Sequence, residues 1–314
     1  MNAKDGAGLS LGVDLGGTKI EVVALRGGGP ARAAPVIRRR IPTERDRGYE
    51  AVLERTAALV RDVAAAVSAD LETVPIGVGM PGSVTRRDGL VKNSNTVCLN
   101  GRPFRADLER ALGRPILFEN DANRFALAEA RLGAASEHIG GVVFGVILGT
   151  GVGGGLVLHG KVWTGAQGIA GEWGHHGVFA EGDRLCYCGA RGCLEQYASG
   201  PAVEADYARR AGRRISLPEI AEARAADPHA AAAIDGLLEA FGRGLANLID
   251  ILDPSAVVLG GGVSNLGLLY TEGVERVAKY VFNDELTTPI LRNSLGDSAG
   301  VLGAALLAES LAVG

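Results

Sequence analysis

Three of the chain's four cysteines, Cys186, Cys188 and Cys193, fall within one short loop, and His175 and His176 stand just upstream. One imidazole with three thiolates is a donor set that suits closed tetrahedral zinc. The stretch that holds them, residues 171–195, is rich in glycine and charge and poor in apolar residues. Such a loop does not fold by burial alone. A metal would supply the order, because ligand binding and local folding are then one equilibrium. The other reading is three free thiols in a loose loop. Glu172 precedes His175 by three residues and Glu195 follows Cys193 by two, so a metal would fix both carboxylates in one small site. Acidic groups held in this way suit a polyhydroxylated ligand.

A second kind of chemistry is written in glycine. Residues 9–25 read as two apolar strands joined at Gly16-Gly17-Thr18-Lys19, with Asp14 at the end of the first strand. Adjacent glycines let backbone amides converge on an anion, the Thr18 hydroxyl adds a donor, and an aspartate beside the turn is placed to hold Mg²⁺ through water. A plain hairpin is the competing reading. Residues 142–158 repeat the pattern, strand, Gly149-Thr150-Gly151, strand. The repetition predicts two related half-domains facing each other across a cleft. Neither copy is a G-x₄-G-K-[ST] phosphate loop, and neither leads into a helix as a dinucleotide fingerprint must. A third glycine cluster, Gly260-Gly261-Gly262, follows an apolar strand at 255–259 and precedes a helix expected from about Asn265. That arrangement lets a flat ring approach the backbone, and a nucleoside is the natural candidate.

The apolar strand ending at Phe118 runs into Glu119-Asn120-Asp121 and then a helix starting near Ala122. Asp121 has two readings. It caps the helix, where a carboxylate is favourable, or it does chemistry at the carboxyl end of a strand, where open α/β sheets place it. The turn 79–83, with Gly82, is a loop or a backbone-lined wall, and Asn93, Asn95 and Asn100 crowd a polar loop able to meet hydroxyl groups.

The elements that position these residues alternate between strands and helices. Residues 49–67 place Tyr49, Val52, Thr56, Val60 and Val63 on one helical face, a buried strand follows at 74–78, and Asp227-Pro228 opens a long amphipathic helix. The last helix, 299–312, carries Gly300 and Gly303 and is expected to pack closely on the helix after Asp121 as an interdomain pair. At 314 residues the chain is long enough for two domains. They are expected as a small α/β domain of 1–121 plus 300–314 and a larger one of 122–299 with the cysteine loop. A net charge of −4 with no Lys/Arg block argues against nucleic acid as a partner. No apolar run is long enough to cross a bilayer, so no membrane partner is expected. The first ten residues do not read as a signal peptide, and Cys98 is the one cysteine outside the cluster, which makes a reducing cytoplasm the expected compartment.

Together these pieces resemble the ROK family of sugar kinases, in the actin and hexokinase superfamily, over nearly the whole chain. DLGGTK at 14–19 resembles the first phosphate loop, LGTGVGGG at 148–155, which includes Gly153, the second, and VVLGGGVSN at 257–265 the adenosine motif. ENDAN at 119–123 resembles the catalytic segment, which implies Asp121 as general base and Asn120 as a sugar ligand. GEWGH and CYCGARGCLE resemble the zinc signature, which implies His175 rather than His176 as ligand beside Cys186, Cys188 and Cys193. It also implies that His175, Glu172 and Glu195 contact the sugar, with Gly82 and Asn95 as further contacts. The resemblance thus implies a two-domain actin-like ATPase fold, related to ribonuclease H, with a cleft, and transfer of the ATP γ-phosphoryl group to a hexose 6-hydroxyl. The cofactors implied are ATP, Mg²⁺ and structural Zn²⁺, and the assembly implied is a homodimer. Segments 91–108 and 280–305 look most like fructokinases of the mannofructokinase type, making fructose the expected sugar. Glucose, mannose, N-acetylglucosamine and N-acetylmannosamine are the alternatives, and a catalytically silent sugar sensor is the non-enzymatic one. DNA-binding repressors of the family carry an N-terminal domain of which this sequence shows no trace.

Overall fold

In the computed structural model, residues 8–27 and 34–309 are described, apart from Pro81, Arg86, Asn95, Ala180, Glu181 and Asp183. They form two compact units, Met1–Leu132 with Asp297–Gly314, and Gly133–Gly296.

In the first unit β1 (Leu9–Leu15) and β2 (Lys19–Arg26) pair antiparallel, Leu15 opposite Ile20, so the glycine turn closes a hairpin as its flanking apolar runs require. β3 (Ala34–Pro42) extends the hairpin, and α1 (Tyr49–Ala66) follows with its apolar stripe buried. β4 (Ile76–Gly79) pairs parallel with β1, the small ribbon of β5 (Ser83–Val84) and β6 (Val91–Lys92) and helix α2 (Phe104–Leu112) come next, and β7 (Leu117–Glu119) pairs parallel with β4. α3 (Asp121–Arg131) ends this part of the chain. The sheet order is β3-β2-β1-β4-β7.

The second unit repeats the plan. β8 (Val142–Leu148) and β9 (Val152–Leu158) form the hairpin, and β10 (Lys161–Val162) extends it. After the cysteine loop come the helices α4 (Glu195–Ala198), α5 (Gly200–Ala211), α6 (Leu217–Ala223) and α7 (Pro228–Leu252). β11 (Ala256–Gly260) pairs parallel with β8, α8 (Glu272–Tyr280) follows, and β12 (Ile290–Arg292) pairs parallel with β11. The order β10-β9-β8-β11-β12 has the same succession of pairings as the first sheet, two antiparallel and then two parallel. α7 is capped by Asp227, whose carboxylate accepts the His229 and Ala230 amides, with Pro228 at its first position as expected.

The chain then returns to the first unit as α9 (Ala299–Ala308). α9 lies directly on the first sheet at two paired glycines, Gly12 and Gly77. A β-carbon at Gly12 would overlap the Val301 carbonyl, and one at Gly77 would overlap that of Ala304. Leu11 and Val13, pointing the other way, join the core that includes Val52 and Val60 of α1. α9 also packs on α3, where a β-carbon at Gly303 would overlap the Arg124 carbonyl.

Three expectations change. The units divide after Leu132 and before Asp297, not at 121/122 and 299/300, because α3 is bound to β1 and α9 of the first unit. The helix expected from about Asn265 begins at Glu272, the intervening chain making two 3-10 turns, Gly262–Asn265 and Gly267–Tyr270. The residue capping α3 is Asn120, not Asp121.

Candidate active site

The segment after β7 is locked by its own side chains. One Glu119 carboxylate oxygen accepts the Asn120 amide and the Asn123 side-chain amide, each at 3.0 Å. Asn120 Oδ1 accepts the Asn123 amide at 2.8 Å, the capping bond of α3. Asp121 therefore stands at the first helical position. Its carboxylate is exposed and takes the adjacent Ala122 amide at 2.9 Å. With the cap supplied by its neighbour, the Asp121 carboxylate is not needed to start the helix.

At the first glycine turn the Gly16 amide donates to the Lys19 carbonyl (2.8 Å), and the Thr43 hydroxyl donates to the Gly16 carbonyl (2.8 Å). Gly17 is half-buried and Thr18 exposed. The Lys19 ammonium lies 3.8 Å from the buried Glu21 carboxylate, which also binds Arg38 and Arg40. Asp14 accepts a 2.8 Å bond from the buried Arg124 guanidinium. The glycine at 82 has a backbone cause: its φ is +90°, and a β-carbon would crowd the Lys92 carbonyl and the Ser94 amide. Asn100 is spent on its own loop, accepting from the Ser94 amide and donating to the Ser94 carbonyl. Asn95 lies outside the described residues.

In the second unit His175, Cys186, Cys188 and Cys193 offer ligand atoms that all lie within 4.8 Å of one another. His175 Nδ1 is 3.5 Å from Cys186 Sγ, and the Cys188 and Cys193 sulfurs are 3.6 Å apart. A disulfide needs about 2.05 Å, whereas sulfurs about 2.3 Å from a tetrahedral zinc stand roughly 3.8 Å from one another. The donor set and its spacing fit zinc. Burial, then the neighbouring cysteines, push the Cys193 thiol up to about 12. The Ala190 amide, then Cys186, hold the exposed Cys188 thiol below its usual value. A divalent cation among them would favour the thiolates throughout. His176 is turned away, its Nδ1 donating to the Trp173 carbonyl. His175 Nε2 lies 2.9 Å from the Tyr187 hydroxyl, so the imidazole expected to contact the sugar meets a tyrosine in this structure.

The loop is fastened to the second hairpin at several points. β-carbons at Gly171 and Gly174 would overlap the Gly154 and Val152 carbonyls, so the chain around Glu172 lies directly on β9. Glu172 itself is exposed. Glu195 Oε2 accepts the Val152 amide at 2.9 Å, and a β-carbon at Gly151 would come within 2.7 Å of the same oxygen. The Gly149 carbonyl accepts the Gly200 amide at 2.9 Å.

A cavity of about 690 Å³ brings Gly149, Thr150 and Gly262 together. Gly151, Gly153, Gly260 and Gly261 do not line it. Gly261 is needed for backbone, with φ +83° and a β-carbon that would overlap the Leu148 carbonyl. The cavity's other walls include Val263 and Asn265, from the 257–265 segment, and Leu266 beside it, whereas Gly200, Pro201 and Glu204 from α5 and Leu217 and Pro218 from α6 were not legible in the sequence. The local signals available were the helix starts Ser199-Gly200-Pro201 and Ser216-Leu217-Pro218-Glu219.

The sequence pattern of the ROK family matches residues 10–310, and the chain belongs to that family. An N-acetyl-D-glucosamine kinase of Vibrio vulnificus is 39% identical over 306 residues, spanning 94% of this chain and 98% of the relative. A ROK hexokinase from Thermus thermophilus has a similar structure, with a TM-score of 0.86 at 35% identity over 98% of this chain and 100% of that one. A ROK glucokinase from Streptomyces griseus, solved with glucose and AMPPNP, gives 0.71 at 32% identity, over 96% and 100%. The two-sheet α/β architecture is that of the actin-like ATPases.

Proposed function

We propose that the protein is an ATP-dependent hexose kinase that phosphorylates the 6-hydroxyl of N-acetyl-D-glucosamine. The reading is carried by Asp121, an exposed carboxylate on a segment whose capping is already provided by Asn120. In this role Asp121 accepts the hydroxyl proton as that oxygen attacks the γ-phosphorus in line. Asn120, Glu172, His175 and Glu195 orient the ring, with Gly82 and Asn95 as further contacts. The turns at Gly16-Gly17-Thr18-Lys19 and Gly149-Thr150-Gly151, the latter extended through Gly153, hold phosphate oxygens with backbone amides. Gly260-Gly261-Gly262 and the adjoining cavity take the nucleoside. Asp14 would hold the Mg²⁺ that accompanies ATP, and that ion supplies charge compensation at the transferred group. Zinc at His175, Cys186, Cys188 and Cys193 is structural in this reading, ordering the loop that carries Glu172 and Glu195. The assembly is proposed as a homodimer, for which light scattering should give twice the 32.3 kDa chain mass.

The sugar assignment follows the Vibrio relative, similar across nearly its full length. Fructose, expected from segments 91–108 and 280–305, finds no support in the names of the relatives described above. Glucose is the second reading, favoured by the Streptomyces neighbour solved with it. Sugar-dependent ADP release across N-acetylglucosamine, glucose, mannose, N-acetylmannosamine and fructose tests the proposal. N-acetylglucosamine should give the highest kcat/KM. A clear preference for fructose would overturn the sugar and leave the kinase standing, whereas no ADP release with any hexose would overturn both.

A further inference from the structure

Arg124 stands in the first turns of α3, and its side chain is only 3% exposed. A guanidinium carries five N–H donors and cannot shed its charge, so burial demands an anion and well-placed acceptors. An anion and two backbone carbonyls meet that demand, and two of these acceptors, on Asp14 and Asn120, belong to segments that the proposed reaction uses. Nη1 donates to Asp14 Oδ1 at 2.8 Å and to the Gly300 carbonyl at 3.0 Å, and Nε donates to the Asn120 carbonyl at 3.3 Å. One planar group thus joins the end of β1, the cap of α3 and the first turn of α9.

The space for it is built of glycine. A β-carbon at Gly79, the last residue of β4, would overlap the guanidinium itself. One at Gly300 would come within 3.3 Å of Nη1 and 3.1 Å of Asp14 Oδ2. Neither glycine has a positive φ, so backbone strain does not explain their presence. The absence of a side chain at Gly79 is what admits the arginine.

We propose that Arg124 is a positioning residue that fixes the Asp14 carboxylate relative to the segment carrying Asn120 and Asp121. It touches neither sugar nor nucleotide. It acts by holding one oxygen of Asp14 and the backbone immediately before Asp121 in a single rigid fork, and its positive charge offsets that of the Asp14 carboxylate. The inference rests on the roles proposed for Asp14 and Asp121.

Arg124→Met keeps the length of the side chain and removes the charge and the fork. Misplacement of about 1 Å at a reacting centre costs on the order of 100-fold, so kcat per folded molecule should fall by about that factor. Arg124→Lys, which restores charge to Asp14 without the fork, should recover roughly a tenth of wild-type kcat. A purely structural role would lower the melting temperature and the active fraction and leave kcat per folded molecule unchanged. Thermal melting of the ligand-free Asp14→Asn, Arg124→Met and double variants supplies a readout independent of turnover, and the two losses should be less than additive because the residues are paired. If Arg124→Met does not fold, Gly79→Ala, which displaces the guanidinium, should lower kcat in the same direction, and Arg124→Lys carries the rescue arm. Additive melting losses, or an Arg124→Met or Gly79→Ala kcat within about threefold of wild type, would overturn the proposal. The failure of the underlying reading looks different: Asp121→Asn would then remain active whatever happens at Arg124.

Discussion

The two glycine hairpins sit at the same place in two sheets of the same topology, yet they are held by different means. In the first unit the turn carbonyl at Gly16 is bound by a side chain, the Thr43 hydroxyl, and the nearby Asp14 carboxylate is held by the buried Arg124. In the second unit the turn carbonyl at Gly149 is bound by a backbone amide, that of Gly200, and the nearby carboxylate, Glu195, reaches the Val152 amide from beside the cysteine cluster. The first arrangement takes its order from an apolar sheet face pressed on α9. The second borrows it from a loop that the proposed zinc must organise. Duplicating a backbone plan therefore does not duplicate its supports, and the two hairpins should fail in different ways.

Metal removal should separate them most sharply. About one zinc per chain is expected in protein purified without added metal. Its chelation should raise amide exchange across 171–195 by orders of magnitude while β1 and β2 keep their protection, and sugar-dependent turnover should vanish. Structural zinc contributes roughly 10–16 kcal/mol in zinc-finger peptides, so no other change to the second unit should match it. Fully active protein that contains no zinc would contradict this half of the comparison.

Glu195→Ala should have an intermediate effect. It removes a charged acceptor and leaves the Val152 amide without its partner, which costs about 1–3 kcal/mol. kcat/KM should fall by roughly 5- to 150-fold, with zinc content unchanged. Retention of full kcat/KM would mean that the link between loop and turn is incidental. Thr43→Val should give the smallest change. A neutral hydroxyl bond contributes about 1 kcal/mol, so the KM for ATP should rise no more than about fivefold. A larger loss there than at Glu195 would reverse the proposed order of supports.

Much of this was legible in the chain because it is local. The apolar runs around Gly16-Gly17-Thr18 and Gly149-Thr150-Gly151 could only make hairpins, and Asp227-Pro228 could only open a helix. The choice of cap at α3 was not legible, since Asn120 and Asp121 cap about equally well. It is settled by Glu119, which takes the Asn120 amide and the Asn123 side chain. The start of α8 at Glu272 was not legible, because the chain at Leu266 and Gly267 breaks an otherwise helical pattern into two 3-10 turns. Nothing local in the sequence marks Arg124 as buried. Its burial depends on Gly79 and Gly300, which are far away along the chain. The cavity walls from α5 and α6 were hidden for the same reason.

The central claim is that Asp121 is the proton acceptor of a sugar kinase, and Asp121→Asn tests it most directly. Asn120 already caps α3, so the substitution should leave melting temperature, zinc content and ATP affinity near wild type. Turnover should collapse, since general-base assistance is typically worth about 10²–10⁴ in rate, or roughly 3–5 kcal/mol of barrier. The measurement is kcat for sugar-dependent ADP release, alongside sugar Kd and thermal melting. The account predicts native stability, nearly unchanged sugar binding and a kcat at least about 100-fold down. A variant of native stability that keeps more than about a tenth of wild-type kcat would contradict it, because that loss is smaller than the least a general base contributes.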